Sequence, residues 1–376
     1  MTAAIYAFSG DPITNGHVNI IERASKAFVT VIAAIGVNPN KGYTFSRTER
    51  TEMAKAALAH LPNVTVDSFD GLLVDYAYTN NISIIIRGVR NVRDMIDENE
   101  LFYINLSQNR NIDTFFIPSS SNTFHISSSA AKALQKEQGI IRDYVPLSVK
   151  QKLEQRISGQ NIIGITGNIG CGKSFVGAEL VKYASQKNQE AHNIEMDDIG
   201  KKILEDTTSP LGSRINDEVL KEFSHEDCVY RDGPFIVLDR KKLGDIVFND
   251  QNKLKKLNEI LHEPILNELR KQIYGKRGLI FINAALIAEA GLSYICNNNV
   301  IIVHSDCQME ALEKRGLTAD QIQSRLNCQY TNEKKGDVIQ AEIDRTGVGN
   351  IIQYLNQRDN IQSIKILYES IMQDNY

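Results

Sequence analysis

The sequence has few cysteines, no long apolar run and no excess of basic residues, and each shortage excludes a class of protein. The five cysteines form no C-x-x-C pair, so we expect neither a disulfide frame nor a zinc site. No apolar run approaches the ~18 residues that a membrane-spanning helix needs. The formal net charge of −4 argues against a protein dedicated to nucleic acid or anionic membranes. Small molecules are therefore the expected partners, with neither nucleic acid nor membrane among them.

The start of the sequence also lacks a targeting signal. Residues Met1 to Tyr6 enter an apolar strand without a basic segment or a long apolar core, so we expect no signal peptide and a cytoplasmic location. A chain of 376 residues, 42% of them hydrophobic, is long enough for two domains with separate cores. The Ser158-Gly159-Gln160 stretch is the predicted boundary, which gives domains over residues 1–157 and 160–376.

Short apolar runs alternate with amphipathic stretches in the first half of the chain. The predicted strands are Ala3–Phe8, Val29–Val37, Val64–Phe69, Ile82–Arg87 and Thr114–Ile117. The predicted helices are Val18–Phe28, Arg47–His60, Leu72–Thr79, Val92–Asn109, Ser128–Gln138 and Leu147–Arg156. This alternation indicates an α/β fold with a parallel sheet and helices on both faces. Such sheets bind ligands beyond the carboxyl ends of their strands.

The second half begins the alternation again. Its predicted strands are Ile162–Thr166, Asn193–Met196, Leu279–Asn283 and Asn299–His304. A helix is predicted over Phe175–Lys187, a turn at Asn297–Asn299, and a helical tail from about Asn350 to Met372.

Residues 162–174 carry the most specific local pattern. Gly167, Gly172, Lys173 and Ser174 fit the phosphate-loop motif G-x-x-x-x-G-K-S, between a strand and a helix. This arrangement directs backbone N–H groups at one point, where they bind phosphate, and the alternative is a glycine-rich turn without a ligand. Lys173 would serve the β/γ-phosphates and Ser174 the Mg²⁺ that accompanies ATP. The predicted ATP-binding residues here are Gly167, Asn168, Ile169, Gly170, Cys171, Gly172, Lys173 and Ser174.

Near the N-terminus, a strand, a polar turn and a helix start share the string Asp11-Pro-Ile-Thr-Asn-Gly-His17. This string resembles the T/H-x-G-H motif of nucleotidyltransferases, and of phosphopantetheine adenylyltransferases in particular. The resemblance extends over residues 3–156 in family order. It continues through Lys41 with Phe45, Leu72-Leu73, Arg87-Gly-Val-Arg90, Glu98 and Ile126-Ser-Ser-Ser129.

The resemblance implies a reaction in which a phosphate oxygen attacks the α-phosphorus of ATP and releases pyrophosphate. It implies that His17 and Lys41 are catalytic, His17 as a donor to the α-phosphate. The implied phosphopantetheine-binding residues are Ser9, Lys41, Leu72, Leu73 and Arg87. The implied ATP-binding residues are Ser9, Gly10, His17, Gly88, Val89, Arg90, Glu98, Ser127, Ser128 and Ser129. Taken singly, His17 reads as a surface or capping residue, Ser127–Ser129 as a helix cap and the arginines as a solvated face.

Residues 161–372 resemble dephospho-CoA kinases. The resemblance is carried by the phosphate loop, Glu195-Met-Asp197, Leu238-Asp-Arg240, Leu257 to His262, Asn283 to Gly291, Gly316-Leu-Thr318, Ser324-Arg325 and Gln329. It implies that Asp197 and Lys173 are catalytic, that Arg325 binds ATP from a lid, and that Lys314 and Arg315 assist it. Without the resemblance, Asp197 reads equally well as a helix N-cap.

Four positions depart from the family pattern of the kinase. Glu195 replaces the first acid of Asp-x-Asp, and Asn283 replaces an acid before Ala-Ala. Glu263 interrupts a His-Pro pair, and Glu310 stands at a lid position that often bears arginine.

Together the resemblances imply a Rossmann-like nucleotidyltransferase domain, followed by a P-loop kinase domain with a helical lid. The implied function is adenylyl transfer to 4′-phosphopantetheine and then phosphorylation of dephospho-CoA. Mg²⁺ with ATP is the expected cofactor, with no tightly bound organic group, and a homo-oligomer is possible. One alternative is an active adenylyltransferase whose kinase half only binds nucleotide or CoA. Another is a P-loop switch protein whose first half only binds nucleotide.

Overall fold

The computed structural model describes residues 2–38, 41–108, 111–232, 235–357 and 361–373. Contacts divide the chain into two compact units, Met1–Ser158 and Gly159–Tyr376, each an α/β unit built on a five-stranded parallel sheet. Within the described ranges, no helix combines the length and the apolar character needed to cross a membrane.

The sheet of the first unit has the strand order β3-β2-β1-β4-β5. Its strands are β1 (Ala3–Phe8), β2 (Thr30–Ile35), β3 (Val64–Ser68), β4 (Ile84–Val89) and β5 (Asp113–Pro118). Its helices are α1 (Asn15–Ala27), α2 (Arg47–Leu58), α3 (Leu73–Thr79), α4 (Val92–Ser107), α5 (Ser128–Lys136) and α6 (Leu147–Leu153), which continues as a π-helical turn over Glu154–Ser158.

The central strand β1 is buried on both faces, as expected for a parallel sheet covered by helices. Ile20 and Met53 lie in the core on one face, and Val74 lies in the core on the other. The strand order reverses between β1 and β4, and parallel α/β sheets bind ligands at such a reversal. The fold therefore directs a ligand to the carboxyl ends of β1 and β4.

The sheet of the second unit has the order β12-β11-β6-β10-β7. Its strands are β6 (Gln160–Thr166), β7 (Ala191–Glu195), β10 (Gly278–Asn283), β11 (Asn299–His304) and β12 (Asn350–Leu355), and β8 (Val229–Asp232) and β9 (Phe235–Leu238) pair separately as an antiparallel ribbon. Its helices are α7 (Lys173–Gln186), α8 (Met196–Glu205), α9 (Pro210–Glu222), α10 (Arg240–Asn249), α11 (Gln251–Ile273), α12 (Gln308–Glu313), α13 (Ala319–Asn327), α14 (Asn332–Thr346) and α15 (Ile361–Gln373), with a 3-10 turn at Ser293–Cys296.

The end of the chain contradicts the prediction of one continuous helical tail. Asn350–Leu355 forms β12, which pairs in parallel with β11, and the helix begins only at Ile361. The Ile-Ile-Gln-Tyr run of β12 contains β-branched and aromatic residues, which favour strands. The strand predicted over Asn193–Met196 is β7 and lies earlier, because its pairing with β10 starts at Ala191. Met196 is instead the first residue of α8.

Candidate active sites

In the first unit, His17 is held by the helix that it helps to begin. Thr14 caps α1, and the Thr14 backbone N–H donates to His17 Nδ1 at 3.0 Å. Because an amide nitrogen can only donate, Nδ1 must be the unprotonated nitrogen and Nε2 must carry the hydrogen. Burial lowers the pKa of His17 to about 4, and the charges of Arg90 and Lys41 act in the same direction. His17 is therefore a neutral imidazole with one fixed donor.

His17 faces a cavity of about 720 Å³ at the carboxyl ends of β1 and β4. The cavity brings together predicted residues from seven separate segments of the unit. Those that line it are Ser9, Gly10, His17, Lys41, Leu72, Leu73, Arg87, Gly88, Arg90, Glu98, Ser127, Ser128 and Ser129. Val89 is the one predicted residue of this site that is not among the described residues lining the cavity. Phe8, Phe69, Asp94 and Phe102 also line it and were not predicted.

Two arginines in the cavity are fixed by acidic partners. Arg87 forms a two-point pair with Glu98, at 2.5 Å and 2.6 Å, and also donates to the Ala7 carbonyl at 3.0 Å. Arg90 is paired with Asp94, with Nε at 2.8 Å from the carboxylate. The family resemblance implies that Arg87 and Glu98 bind different substrates, whereas here they contact each other. Such pairing fixes each guanidinium plane before any anion binds.

The serines at the start of α5 already make protein contacts. Ser127 caps the helix by accepting from the Ala130 N–H at 3.1 Å, and Ser128 donates its hydroxyl to the Pro12 carbonyl at 2.8 Å. The capping interpretation of Ser127 is therefore confirmed. The helix N-terminus still faces the cavity, where its backbone N–H groups and positive dipole suit an anion.

Asp11, which was not among the predicted site residues, links three segments of this site. Its carboxylate accepts from the Thr44 and Phe45 N–H groups at 2.9–3.1 Å and from Lys132 Nζ at 2.7 Å. Burial would raise the pKa of Asp11, but Lys132 and the two amides outweigh it and lower the pKa. Asp11 thus ties together the turn after β1, the loop that follows Lys41, and α5. Arg50, also buried, donates to the Ser9 and Gly36 carbonyls.

In the second unit, the glycine-rich loop has the backbone that its motif requires. Gly167, Gly170 and Gly172 all have positive φ, which favours glycine. A Cβ at Gly167 would lie 2.4 Å from the Val303 carbonyl oxygen, and one at Gly172 would lie 2.2 Å from Asn356 Nδ2. Helix α7 begins at Lys173, two residues earlier than predicted, so Lys173 and Ser174 lie at its N-terminus.

Side-chain amides from later parts of the chain hold the loop. Gln329 Oε1 accepts from the Ile169 N–H at 2.9 Å, and Asn332 Oδ1 accepts from the Asn168 N–H at 3.2 Å. Lys173 Nζ donates to the Gly167 carbonyl at 3.0 Å, which keeps the ammonium over the loop. Cys171 is 1% exposed and burial raises the pKa of its thiol, so it is a poor target for oxidation.

Glu195 and Asp197 lie where β7 ends and α8 begins. Glu195 occupies the N-cap position of α8, and Asp197 is the second helical residue, so the N-cap interpretation of Asp197 is wrong. The pKa of Asp197 is raised, first by desolvation and then by Glu195 and Asp198, while Lys173 acts in the opposite direction, and the side chain stays exposed to solvent. A carboxylate with a raised pKa is a better proton acceptor.

The predicted lid arginine and a buried lysine lie on the later helices α13 and α14. The predicted lid arginine, Arg325, lies on α13. Its guanidinium carbon lies 5.1 Å from the centroid of the Phe248 ring. Lys335 is fully buried on α14, where it donates to the Ala285 carbonyl at 2.7 Å and pairs with Glu289. Burial lowers the pKa of Lys335, and Glu289 offsets part of that change.

Two protein families match different parts of the chain. The dephospho-CoA kinase family matches residues 161–348, and the cytidylyltransferase-like family matches residues 9–134. Phosphopantetheine adenylyltransferases from Heliobacterium modesticaldum, Clostridium perfringens and Nautilia profundicola are 38%, 39% and 41% identical to this chain. The alignments cover 42%, 42% and 40% of this chain and 93%, 96% and 99% of the relatives. The chain belongs to both families: it joins a phosphopantetheine adenylyltransferase domain to a dephospho-CoA kinase domain.

The two resemblances and the α/β fold predicted from the sequence are thereby confirmed. In the adenylyltransferase domain, nearly every predicted site residue lines one cavity, and the missed residues Asp11, Arg50 and Lys132 lie behind it. In the kinase domain, the sequence did not reveal Lys335 or Asn332. Both are polar residues on one helix, and only their burial or their contact with the loop marks them.

Proposed function

We propose that the chain forms coenzyme A in two consecutive reactions. In the first, a phosphate oxygen of 4′-phosphopantetheine attacks the α-phosphorus of ATP, and pyrophosphate leaves to give dephospho-CoA. In the second, the ribose 3′-hydroxyl of dephospho-CoA attacks the γ-phosphorus of a second ATP, and ADP leaves to give CoA. The assignment of each role below is part of this proposal.

The observation that carries the first reaction is the cavity around His17. Its donors and cations come from the turn after β1, the loop at Lys41, the end of β4 and the start of α5. Phosphoryl chemistry of this kind needs aligned reactants and neutralised charge rather than a covalent intermediate. Lys41 and Arg87 would hold the phosphate of phosphopantetheine, Leu72 and Leu73 would line its arm, and Ser127–Ser129 would receive the leaving phosphates. Ser9, Gly10, Gly88, Val89, Arg90 and Glu98 would complete the ATP site.

His17 would act as a hydrogen-bond donor and not as an acid or base. Its pKa of about 4 keeps it neutral at pH 7, with the hydrogen on Nε2. A neutral donor at a helix N-terminus stabilises negative charge that grows on the α-phosphate oxygens during the attack. Its hydrogen-bonded tautomer means that this donor does not have to reorganise during the reaction.

In the kinase domain, Asp197 would orient the ribose hydroxyl and take its proton, since a hydroxyl is a weak nucleophile until it is deprotonated. Lys173 would move its ammonium from the loop carbonyls to the γ-phosphoryl group. Arg325 would reach the same group from α13.

A Mg²⁺ ion would enter this site with ATP. The Ser174 hydroxyl, which donates to the Glu195 carboxylate at 3.0 Å, is a hard oxygen ligand of the kind that Mg²⁺ prefers. When bound, the ion neutralises charge on the phosphates. No group of three acidic, histidine or cysteine side chains suited to a metal occurs in the described residues, so ATP itself would complete the coordination.

The product of the intact chain tests both halves together. We expect phosphopantetheine and ATP to give CoA with the wild type, and dephospho-CoA alone with Lys173→Ala. We expect His17→Ala to slow adenylyl transfer by about 10²–10³-fold and still to convert supplied dephospho-CoA to CoA. Mass spectrometry of the products distinguishes these outcomes.

The alternative of a degenerate kinase domain predicts a different product. In that case the wild type would stop at dephospho-CoA, and added dephospho-CoA would bind without turnover. Release of pyrophosphate unchanged in His17→Ala would contradict the adenylyltransferase assignment.

We also propose a cytoplasmic location. All five cysteines are free thiols in the structure, which suits a reducing compartment.

A further inference from the structure

The Glu195 carboxylate is surrounded by uncharged donors. It accepts from the Ser174 hydroxyl at 3.0 Å, from Asn193 Nδ2 at 2.8 Å and from Asn283 Nδ2 at 3.0 Å. These three donors come from α7, β7 and β10. The single negative charge therefore lies between the phosphate-loop helix and the ends of two strands.

The sheet pairing brings Glu195 and Asn283 together. The two residues are register partners at the carboxyl ends of β7 and β10, so their side chains lie on the same face of the sheet. Asn283 is only 1% exposed. A carboxylate at position 283 would stand about 3 Å from that of Glu195, and two ionised carboxylates at that distance repel strongly. The amide at 283 is thus the complement of the acid at 195.

Helix α7 packs against Asn193, one of the donors to the Glu195 carboxylate. A Cβ at Gly177 would lie 2.5 Å from Asn193 Oδ1, so glycine lets the helix pack directly on that amide. Among the described residues, no donor reaches Asn193 Oδ1. The side-chain amide of Asn193 can therefore rotate by about 180°, so that Oδ1 accepts a hydrogen bond if the residue at position 195 becomes a donor.

We propose that Glu195 and Asn283 are a matched positioning pair for the Ser174 hydroxyl. By accepting the Ser174 hydrogen, Glu195 leaves the lone pairs of Ser174 Oγ directed away from itself, toward the phosphate loop. The pair works with one negative charge, because position 195 keeps an acid and position 283 carries an uncharged amide that donates to it. This inference rests on the proposed kinase reaction.

The test exchanges the charge between the two positions. Glu195→Gln leaves no charge and Asn283→Asp gives two, and we expect each to lower kcat/KM for dephospho-CoA phosphorylation by about 10- to 100-fold. The double variant Glu195→Gln/Asn283→Asp restores one carboxylate and one amide. We expect it to be at least about tenfold faster than either single variant. Glu190→Gln, a change of the same kind at an exposed acid next to β7, should have no effect.

Adenylyl transfer by the same chains is the internal control, and it should stay constant in all variants. A double variant as slow as the product of the two single effects would overturn the pairing. A wild type that forms no CoA would overturn the proposed kinase function instead. In that case the role of the Glu195–Asn283 pair is tested by nucleotide binding.

Binding gives a readout that does not depend on turnover. Calorimetric titration of the full chain with ADP, with and without Mg²⁺, is compared with Lys173→Ala to identify the signal of this site. We expect both single variants to weaken the Lys173-dependent component about 10- to 100-fold with Mg²⁺ but not without it, and the double variant to recover. Equal weakening with and without Mg²⁺ would mean that the pair only supports the local fold.

Discussion

His17 performs two tasks with one imidazole ring. Nδ1 accepts the Thr14 N–H and so completes the cap of α1, while Nε2 presents a hydrogen to the cavity. A sequence motif can indicate that a histidine is functional. It cannot indicate which nitrogen is protonated, because that depends on a backbone donor three residues away.

The depressed pKa of His17 links its burial to stability. Because the folded value is about 4 and the unfolded value about 6.5, the unfolded chain binds more protons between these pH values. The contribution of neutral His17 to the stability of the first unit should therefore be fully present above pH ~6.5. It should decrease as the pH falls toward ~4. In His17→Gln, which cannot titrate, this dependence should be flatter. Denaturant midpoints measured across this range check the prediction, and identical slopes in both proteins would contradict it.

Contacts between elements set the geometry of the first cavity. The Asp11 carboxylate joins the turn after β1 to the loop at Thr44 and, through Lys132, to α5. All three segments carry residues proposed to bind phosphate. Small displacements of such segments reduce rates strongly, because alignment of reactants contributes much of the catalysis.

Replacement of Lys132 tests this link. Lys132→Met should slow adenylyl transfer by up to about 10²-fold, mostly in kcat, while CoA formation from supplied dephospho-CoA continues at the wild-type rate. Lys136→Met makes the same change one turn further along α5, at an exposed position, and serves as the control. Lys132→Arg keeps the charge and should recover part of the rate. Equal losses in both methionine variants would rule out a specific role for Lys132.

The sequence predicted elements well wherever apolar periodicity alone determines them. Strand β1 and strand β11 have their predicted bounds, since each is an apolar run in the middle of a sheet. The last strand was missed because β12 lies at the edge of the sheet and its apolar residues are interrupted by Asn350 and Gln353. Its identity depends on pairing with β11, which is distant in sequence, and not on a local pattern.

The candidate sites divide in the same way. Residues in contiguous motifs, such as the phosphate loop, could be assigned from spacing. Residues from distant parts of the chain also hold the phosphate loop: Gln308 donates to the Ile169 carbonyl, and Asn332 accepts from the Asn168 N–H. No local sequence pattern marks either residue. Their roles follow only from the tertiary structure.

At the scale of the whole molecule, each unit has its own buried clusters and its own sheet. A mutation that weakens one core should therefore leave the other unit folded. The buried pair of Lys335 and Glu289 offers such a mutation in the second unit.

Lys335→Met removes the cationic partner of the largely buried Glu289 and leaves the Tyr330 N–H as a donor to that carboxylate. It should destabilise the second unit by about 3–5 kcal/mol, and the double variant Lys335→Met/Glu289→Leu should recover most of that loss. Chemical denaturation is monitored through the loss of each activity. We expect Lys335→Met to lower the denaturation midpoint of the kinase activity and to leave that of adenylyl transfer unchanged. A common shift of both midpoints would show that the two units unfold together.

The burial of Cys171 has a practical consequence for fluorescence labelling. A maleimide dye added to the native chain should avoid the phosphate loop and attach instead to Cys307 or Cys328, which are partly accessible. These two thiols lie just before α12 and just after α13. The wild-type chain can thus carry a reporter at either end of the α12–α13 segment, which bears the predicted lid arginine Arg325, without any engineered cysteine.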